Sequence, residues 1–280
     1  MGEKIIRAQL PSIESSFDIV TAVNMGFLPG YSVIDKFGVN LDIDIASVPE
    51  DIWEGGGEYP FSSTADIVSA SSSNNSDTQE IVVYGLDENW ADTRQVVTLQ
   101  GQTRVALSTP LIRVYRIENN GISNFAGTVY VYSGTEATLG VPSGASVVKA
   151  VVDDGNNQTL MAVYTIPAGK VGFLYRGEIG MELDTLPSTD QQLLRAHYKS
   201  RRFGKVFTVK KVITLMLAGS SNYKDRRSFA DVIPAKTDIK LTVVSVSADN
   251  MGAWGTFDIM LVNEDRFSDA YLTAIGQPGY

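Results

Sequence analysis

The stretch Val39-Asn40-Leu41-Asp42-Ile43-Asp44-Ile45 alternates aliphatic and polar residues without a break. Side chains of an extended chain point to opposite faces in turn, so this alternation predicts a strand with Val39, Leu41, Ile43 and Ile45 toward a core and the carboxylates toward water. Further β-rich runs follow at 80–86, 95–99, 111–117, 128–132 and 147–152, then at 160–166, 171–179, 205–217, 239–247 and 256–262. Clusters of Gly, Ser, Asn and Pro separate them. The best helix candidate is 188–199, where Ser188 and Gln191 have capping-box spacing. There too Leu194, Ala196 and Tyr198 alternate with Leu193, Arg195, His197 and Lys199, a pattern that fits a strand at least as well.

The expected fold is therefore all-β. A small signature supports a sandwich: Val141-Pro142-Ser143-Gly144, Ile166-Pro167-Ala168-Gly169 and Ile233-Pro234-Ala235-Lys236 each place an apolar residue, a proline and a small residue ahead of a β-rich run. Proline presets φ for the second position of a tight turn. Their spacing, 25 residues and then 67, excludes a solenoid or propeller repeat. A chain of 280 residues makes two domains the default. The Gly-, Ser- and Thr-rich segment 133–144 is the expected boundary, and 71–78 reads as a mobile surface loop. The organisation expected is an N-terminal arm over 1–34 and two jelly-roll-like β-sandwiches over 35–138 and 139–280.

With no cysteine, a disulfide framework and thiolate chemistry are excluded, and stability has to come from burial and assembly. Residues 1–10 lack an apolar stretch of signal-peptide length and no apolar run reaches membrane-spanning length, so neither secretion nor a membrane is expected. The net charge of −9 is unevenly placed, with sixteen Asp and Glu against four Lys and Arg in residues 1–100. Such a chain repels nucleic acid over most of its surface, and no nucleic-acid partner is expected.

The motifs of catalysis are missing. His197 is the only histidine, and it stands between Arg195 and Lys199 without a nucleophile elbow nearby. Gly55-Gly56-Gly57 lacks the Gly-Lys-Ser/Thr ending of a phosphate loop and reads as a turn. Asp42, Asp44, Glu50, Asp51, Glu54 and Glu58 read as a solvated acidic face rather than as a cation site or a glycosidase pair. Asp153-Asp154-Gly155-Asn156-Asn157 lacks EF-hand spacing and reads as a hairpin turn. No cofactor, metal or enzymatic activity is expected. Trp53, Trp90 and Trp254 are either core residues or anchors for a neighbour.

The runs 37–44, 50–57, 83–87 and 97–101, then 112–116, 127–132 and 164–170, resemble in their order a family of uncharacterised virion proteins from tailed phages. The resemblance spans about 37–262. It implies a structural component of the particle. A two-domain β protein without cofactor motifs is then expected as a capsid decoration or cement protein on the outer head, bound to the major capsid protein and assembled as a homotrimer, because capsid lattices offer local three-fold positions. The alternatives are a tail, neck or fibre-associated protein that binds a host receptor or polysaccharide, and a carbohydrate-active enzyme.

One basic segment stands out in the acidic chain. Arg195, Lys199, Arg201, Arg202 and Lys205 precede Lys210 and Lys211, and Phe203-Gly204 sits where a hairpin would turn. Arg195, Lys199 and Arg201 differ by even numbers and would share one face, either a solvated strand face or an intersubunit contact for an acidic surface, 42–58 of a neighbouring copy or the capsid shell.

Overall fold

The computed structural model describes residues 19–144, 147–183, 192–217 and 221–275. After a short helix, α1 (Ile19–Asn24), come a long strand, β1 (Tyr31–Ile43), and the brief β2 (Glu50–Asp51). A second group follows: β3 (Ile67–Ser72), β4 (Glu80–Leu86), β5 (Asp92–Thr98), β6 (Val105–Leu111), β7 (Arg113–Asn119), β8 (Val129–Ser133), the two-residue β9 (Ala137–Thr138) and β10 (Val141–Pro142), and β11 (Val148–Val152). The chain continues through β12 (Val163–Thr165), β13 (Lys170–Leu183), β14 (Gln192–Arg202) and β15 (Thr208–Leu217). It ends with β16 (Ser221–Ile233), β17 (Thr237–Val246), β18 (Met251–Asn263) and a terminal helix, α2 (Asp269–Ala274), capped by the Ser268 hydroxyl.

The protein is all-β, built from two sandwiches. In the larger one, β1-β18-β13-β16 form one sheet and β12-β17-β14-β15 the other. Numbering these strands by their order in the chain, the antiparallel pairs are first with eighth, second with seventh, third with sixth and fourth with fifth. Nested pairs of this kind, rolled into two facing sheets, are a jelly roll. Alternate residues meet between the sheets: Leu194, Ala196 and Tyr198 of β14 against Ile179 and Met181 of β13 and Phe257 and Ile259 of β18, all buried.

The smaller sandwich is inserted between the first and second strands of the jelly roll. Its sheets are β11-β8-β3-β6 and β5-β4-β7, over a core that includes Ile67, Ile81, Val83, Ile117, Val129 and Val131. The linkers into and out of it run side by side, with Ile52 accepting from the Ala162 amide at 2.9 Å and donating to the Leu241 carbonyl at 2.9 Å. They cross β1 at Gly38, where a Cβ would lie 2.2 Å from the Ala162 amide nitrogen.

Several expectations change. The division is not at residue 138: β1 pairs along its length with β18, so 31–43 opens the larger sandwich while the smaller one forms from residues that follow β2. Residues 19–34 of the expected arm lie on the body, with Val23 buried and β1 already formed at Tyr31, while 1–18 fall outside the described residues. The strand expected from 39–45 exists, but it ends at Ile43 and the pairing shifts between Asn40 and Ile43. Up to that shift the inward face is that of Lys36, Gly38 and Asn40, and Asn40 is buried, bonded to Glu50 and the Asp51 carbonyl; after it Ile43 turns inward, whereas Leu41 and Ile45 are exposed.

Nor are Ser71 and Ser72 part of a surface loop. Both are fully buried in β3, the Ser71 hydroxyl donating to the Gly140 carbonyl and that of Ser72 to Asp77. Asp77, also buried, accepts from the Ala126 and Gly127 amides. In the segment 188–199 the chain is extended from Gln192, and 188–191 fall outside the described residues. Two of the proline turns bond to each other, the Lys236 amide donating to the Ile166 carbonyl at 2.8 Å.

Candidate interaction surfaces

Where the sandwiches meet, charged side chains are enclosed and paired. Arg113 of β7 donates through Nε to Oδ1 of Asp238 in β17 at 2.8 Å and through Nη2 to Oδ2 at 3.0 Å. Asp238 also accepts from Arg201 at 2.9 Å and from the Thr165 hydroxyl at 2.6 Å. Two residues along the same strand, the Lys240 ammonium bonds Asp51 at 2.9 Å and Glu58 at 3.0 Å. Burial pushes the Asp51 carboxyl up, against Lys240, the Thr242 hydroxyl and the Tyr59 amide, which hold it down. Phe61 and Trp90 lie against the Arg113 guanidinium, and Phe207 against Arg201 and Lys240. Desolvated cations beside ring faces and carboxylates of this kind lock two bodies in one orientation.

This seam absorbs the acidic region expected to face a neighbour. Glu50 accepts from Asn40 and the Gly57 amide, Asp51 and Glu58 hold Lys240, and Glu54 accepts from Asn156 and the Leu160 amide. Burial lifts Glu54 to about 7. Part of the complementarity read as intersubunit is met within one chain, because β2 adds to β17 and Asp51, with Glu58, lies on Lys240, while Glu50 and Glu54 are held by neutral donors. The triple glycine is a turn under the Trp53 ring, with Gly56 and Gly57 at positive φ. Trp53 and Trp90 are core residues, while Trp254 is half-buried over Gly180.

The basic hairpin forms as expected, β14 pairing antiparallel with β15 around a turn at Gly204. Its five cationic residues then part company. Arg195 and Lys199 do share the outward face, with His197 between them. Burial, then Lys240, push the Lys199 ammonium down, and Asp51 and Glu58 act the other way. Arg201 starts on that face but turns into the seam to bond Asp238, so it is not a free docking group. Arg202 points to the other side of the sheet and donates to the Ile275 carbonyl at 2.7 Å. Lys205 is exposed beside the turn.

The outward face also carries apolar residues that the charge pattern did not reveal. Leu193 opposes Met216 across β14 and β15, and His197 opposes Val212. Leu193, Val209, Val212 and Met216 are each about half exposed. On the other side, an open groove of about 560 Å³ runs along the end of the jelly roll between the hairpin tip and the last residues of β16.

No family model matches the chain, and no curated protein matches it. Among solved structures, the chain is similar to one titled "Structure of infectious bursal disease virus Gt strain", at 12% identity over 85% of this chain and 74% of that one, with a TM-score of 0.19. An overlap that low carries no inference about this chain.

Proposed function

We propose that this chain is a non-enzymatic structural component of a tailed-phage virion, a decoration protein that binds the outer head and stabilises it. The observation that carries the reading is the strand order: an eight-stranded jelly roll with a second sandwich inserted after its first strand and clasped to it by the buried Arg113–Asp238 pair. Jelly rolls serve viral capsids, lectins and cupins alike, so the order supports the reading without deciding it. The ordered motif runs of 37–262, which resemble virion proteins, favour the first of these. The face of Leu193, Arg195, His197, Val212 and Met216 supplies what a particle-bound protein needs, an apolar patch with cations on a rigid sheet.

The test is quantitative mass spectrometry and antibody labelling of particles purified from the host that makes the chain. Hundreds of copies distributed over the head are expected. A few dozen or fewer at one end would move the protein to the neck or tail, and absence from particles would overturn the virion reading.

A further inference from the structure

The groove at the end of the jelly roll is lined by two kinds of side chain. Arg202, Lys205 and Lys210 supply cations, beside Arg201, which Asp238 already holds, while Val206, Val232 and Pro234 supply an apolar wall. Asp231 brings the one carboxylate of the lining. Lys205 and Lys210 are exposed, and among the described residues no carboxylate pairs with either. Val206 is 80% exposed at the hairpin tip, an apolar residue that the fold itself does not use. Thr237, only 3% exposed, lies in the same wall, and its hydroxyl has no partner among the described residues.

We propose that this groove binds an acidic, aliphatic peptide segment of a partner protein. Its carboxylates face Lys205, Lys210 and Arg202, and its aliphatic side chains cover Val206, Val232 and Pro234. The volume falls within the range of ordinary ligand sites. Nucleic acid fits less well: bases need exposed rings to stack on, and Tyr198, the one aromatic residue of the lining, is buried in the core. The site lies on the opposite side of the sheet from the outward face and does not depend on the virion reading.

The experiment uses the full chain and fluorescein-labelled peptides read by anisotropy. A peptide of alternating Glu and Val should bind saturably, and a peptide of alternating Gln and Val should not. Binding should weaken by roughly tenfold or more in Lys205→Glu/Lys210→Glu, since two favourable exposed charges become repulsive. Should that variant fail to fold, Lys205→Gln/Lys210→Gln carries the same test. Equal binding of the two peptides, unchanged affinity in the variants, no saturable binding, or tighter binding of a labelled oligo-dT would each overturn the proposal. The assay needs no particle, so its failure leaves the virion assignment standing, and absence from particles leaves the groove standing.

Discussion

Arg113 and Asp238, 125 residues apart in the chain, meet in a two-pronged ion pair that is closed to solvent on both sides, with side-chain exposures of 3% and 0%. One residue belongs to the inserted sandwich and the other to the jelly roll. A buried pair is no guarantee of net stability, because desolvation offsets much of the attraction, but removing one member leaves an uncompensated charge. Asp238→Asn strands both Arg113 and Arg201 and should cost about 3–5 kcal/mol in urea unfolding. Arg113→Lys should not restore the parent value, since an ammonium cannot supply the fork. A single unfolding transition with a cost below about 1 kcal/mol would mean that the seam is solvated and the sandwiches are held by other contacts.

The pH dependence of stability should have a minimum near neutrality. Lys36 is buried, donates to the Tyr115 carbonyl and is lowered from 10.5 to about 7, by burial first and by Arg116 second. Between pH 7 and about 10.4 the unfolded chain therefore holds a proton that the folded chain has lost, and stability rises with pH across that window. Glu54, lifted to about 7, and Asp258, lifted to about 6 by burial and by Asp35 beside it, work in the opposite sense. Their folded forms keep protons that the unfolded chain loses above about pH 4, so their contribution falls as pH rises to 7. Thermal melts from pH 4 to 10 should show the dip, and Lys36→Met should flatten only the alkaline limb. An alkaline limb unchanged in Lys36→Met would remove Lys36 from the account.

What the sequence could reveal was bounded by distance along the chain. Period-two alternation is local: it marked β4, β17 and the second half of β18, and at 188–199 it left helix and strand open. It could not show that Val39 pairs with Trp254, and that one pairing moves the first strand from one sandwich to the other. The strand at 67–72 escaped because its inward residues include serines, whose burial is made tolerable by Gly134, Gly140 and Asp77 as acceptors. In the basic segment the hairpin was legible from Phe203-Gly204 and the flanking runs. The destination of Arg201 was not, because Asp238 lies 37 residues on. Arg113 within Leu111-Ile112-Arg113-Val114 and Lys240 within Ile239-Lys240-Leu241 were signals of a kind, charges in apolar strands, but they named no partner.

Gly38 is where chain crossing leaves no room for a side chain. A Cβ there would meet the Ala162 nitrogen at 2.2 Å and the Ile52 carbonyl oxygen at 2.5 Å, both backbone atoms that cannot swing aside. Gly38→Ala should destabilise the protein by about 1–3 kcal/mol, the usual range for overpacking. Gly144→Ala has open space around it and makes the steric control, although its φ of +102° adds backbone strain. If Gly38→Ala costs no more than Gly144→Ala, the two linkers do not press on β1.

The outward face of the hairpin separates assembly from folding, because its cations divide between the two tasks. Arg195 and Lys199 look outward, while Arg201 holds Asp238 inside the seam. Arg195→Glu/Lys199→Glu should lower Tm less than Arg201→Glu does, since Arg195 is exposed, where a charge is worth about 0–1 kcal/mol, and Lys199 is only half-buried. Arg201→Glu places a carboxylate against Asp238 and should lower Tm clearly on its own. If the face docks on an acidic surface of the capsid or of a second copy, the Arg195/Lys199 variant should bind particles more weakly than the parent. The difference should shrink as salt rises, because a Debye length of about 10 Å at 0.1 M screens exposed charges first. Met216→Glu should weaken binding at every salt concentration, since it removes apolar contact that salt does not screen. Sedimentation of the parent should give the proposed homotrimer, and loss of that state in the same variants would place the face between copies. Particle binding and oligomeric state that survive all three changes would leave the hairpin as a solvated face and move the contact surface elsewhere on the jelly roll.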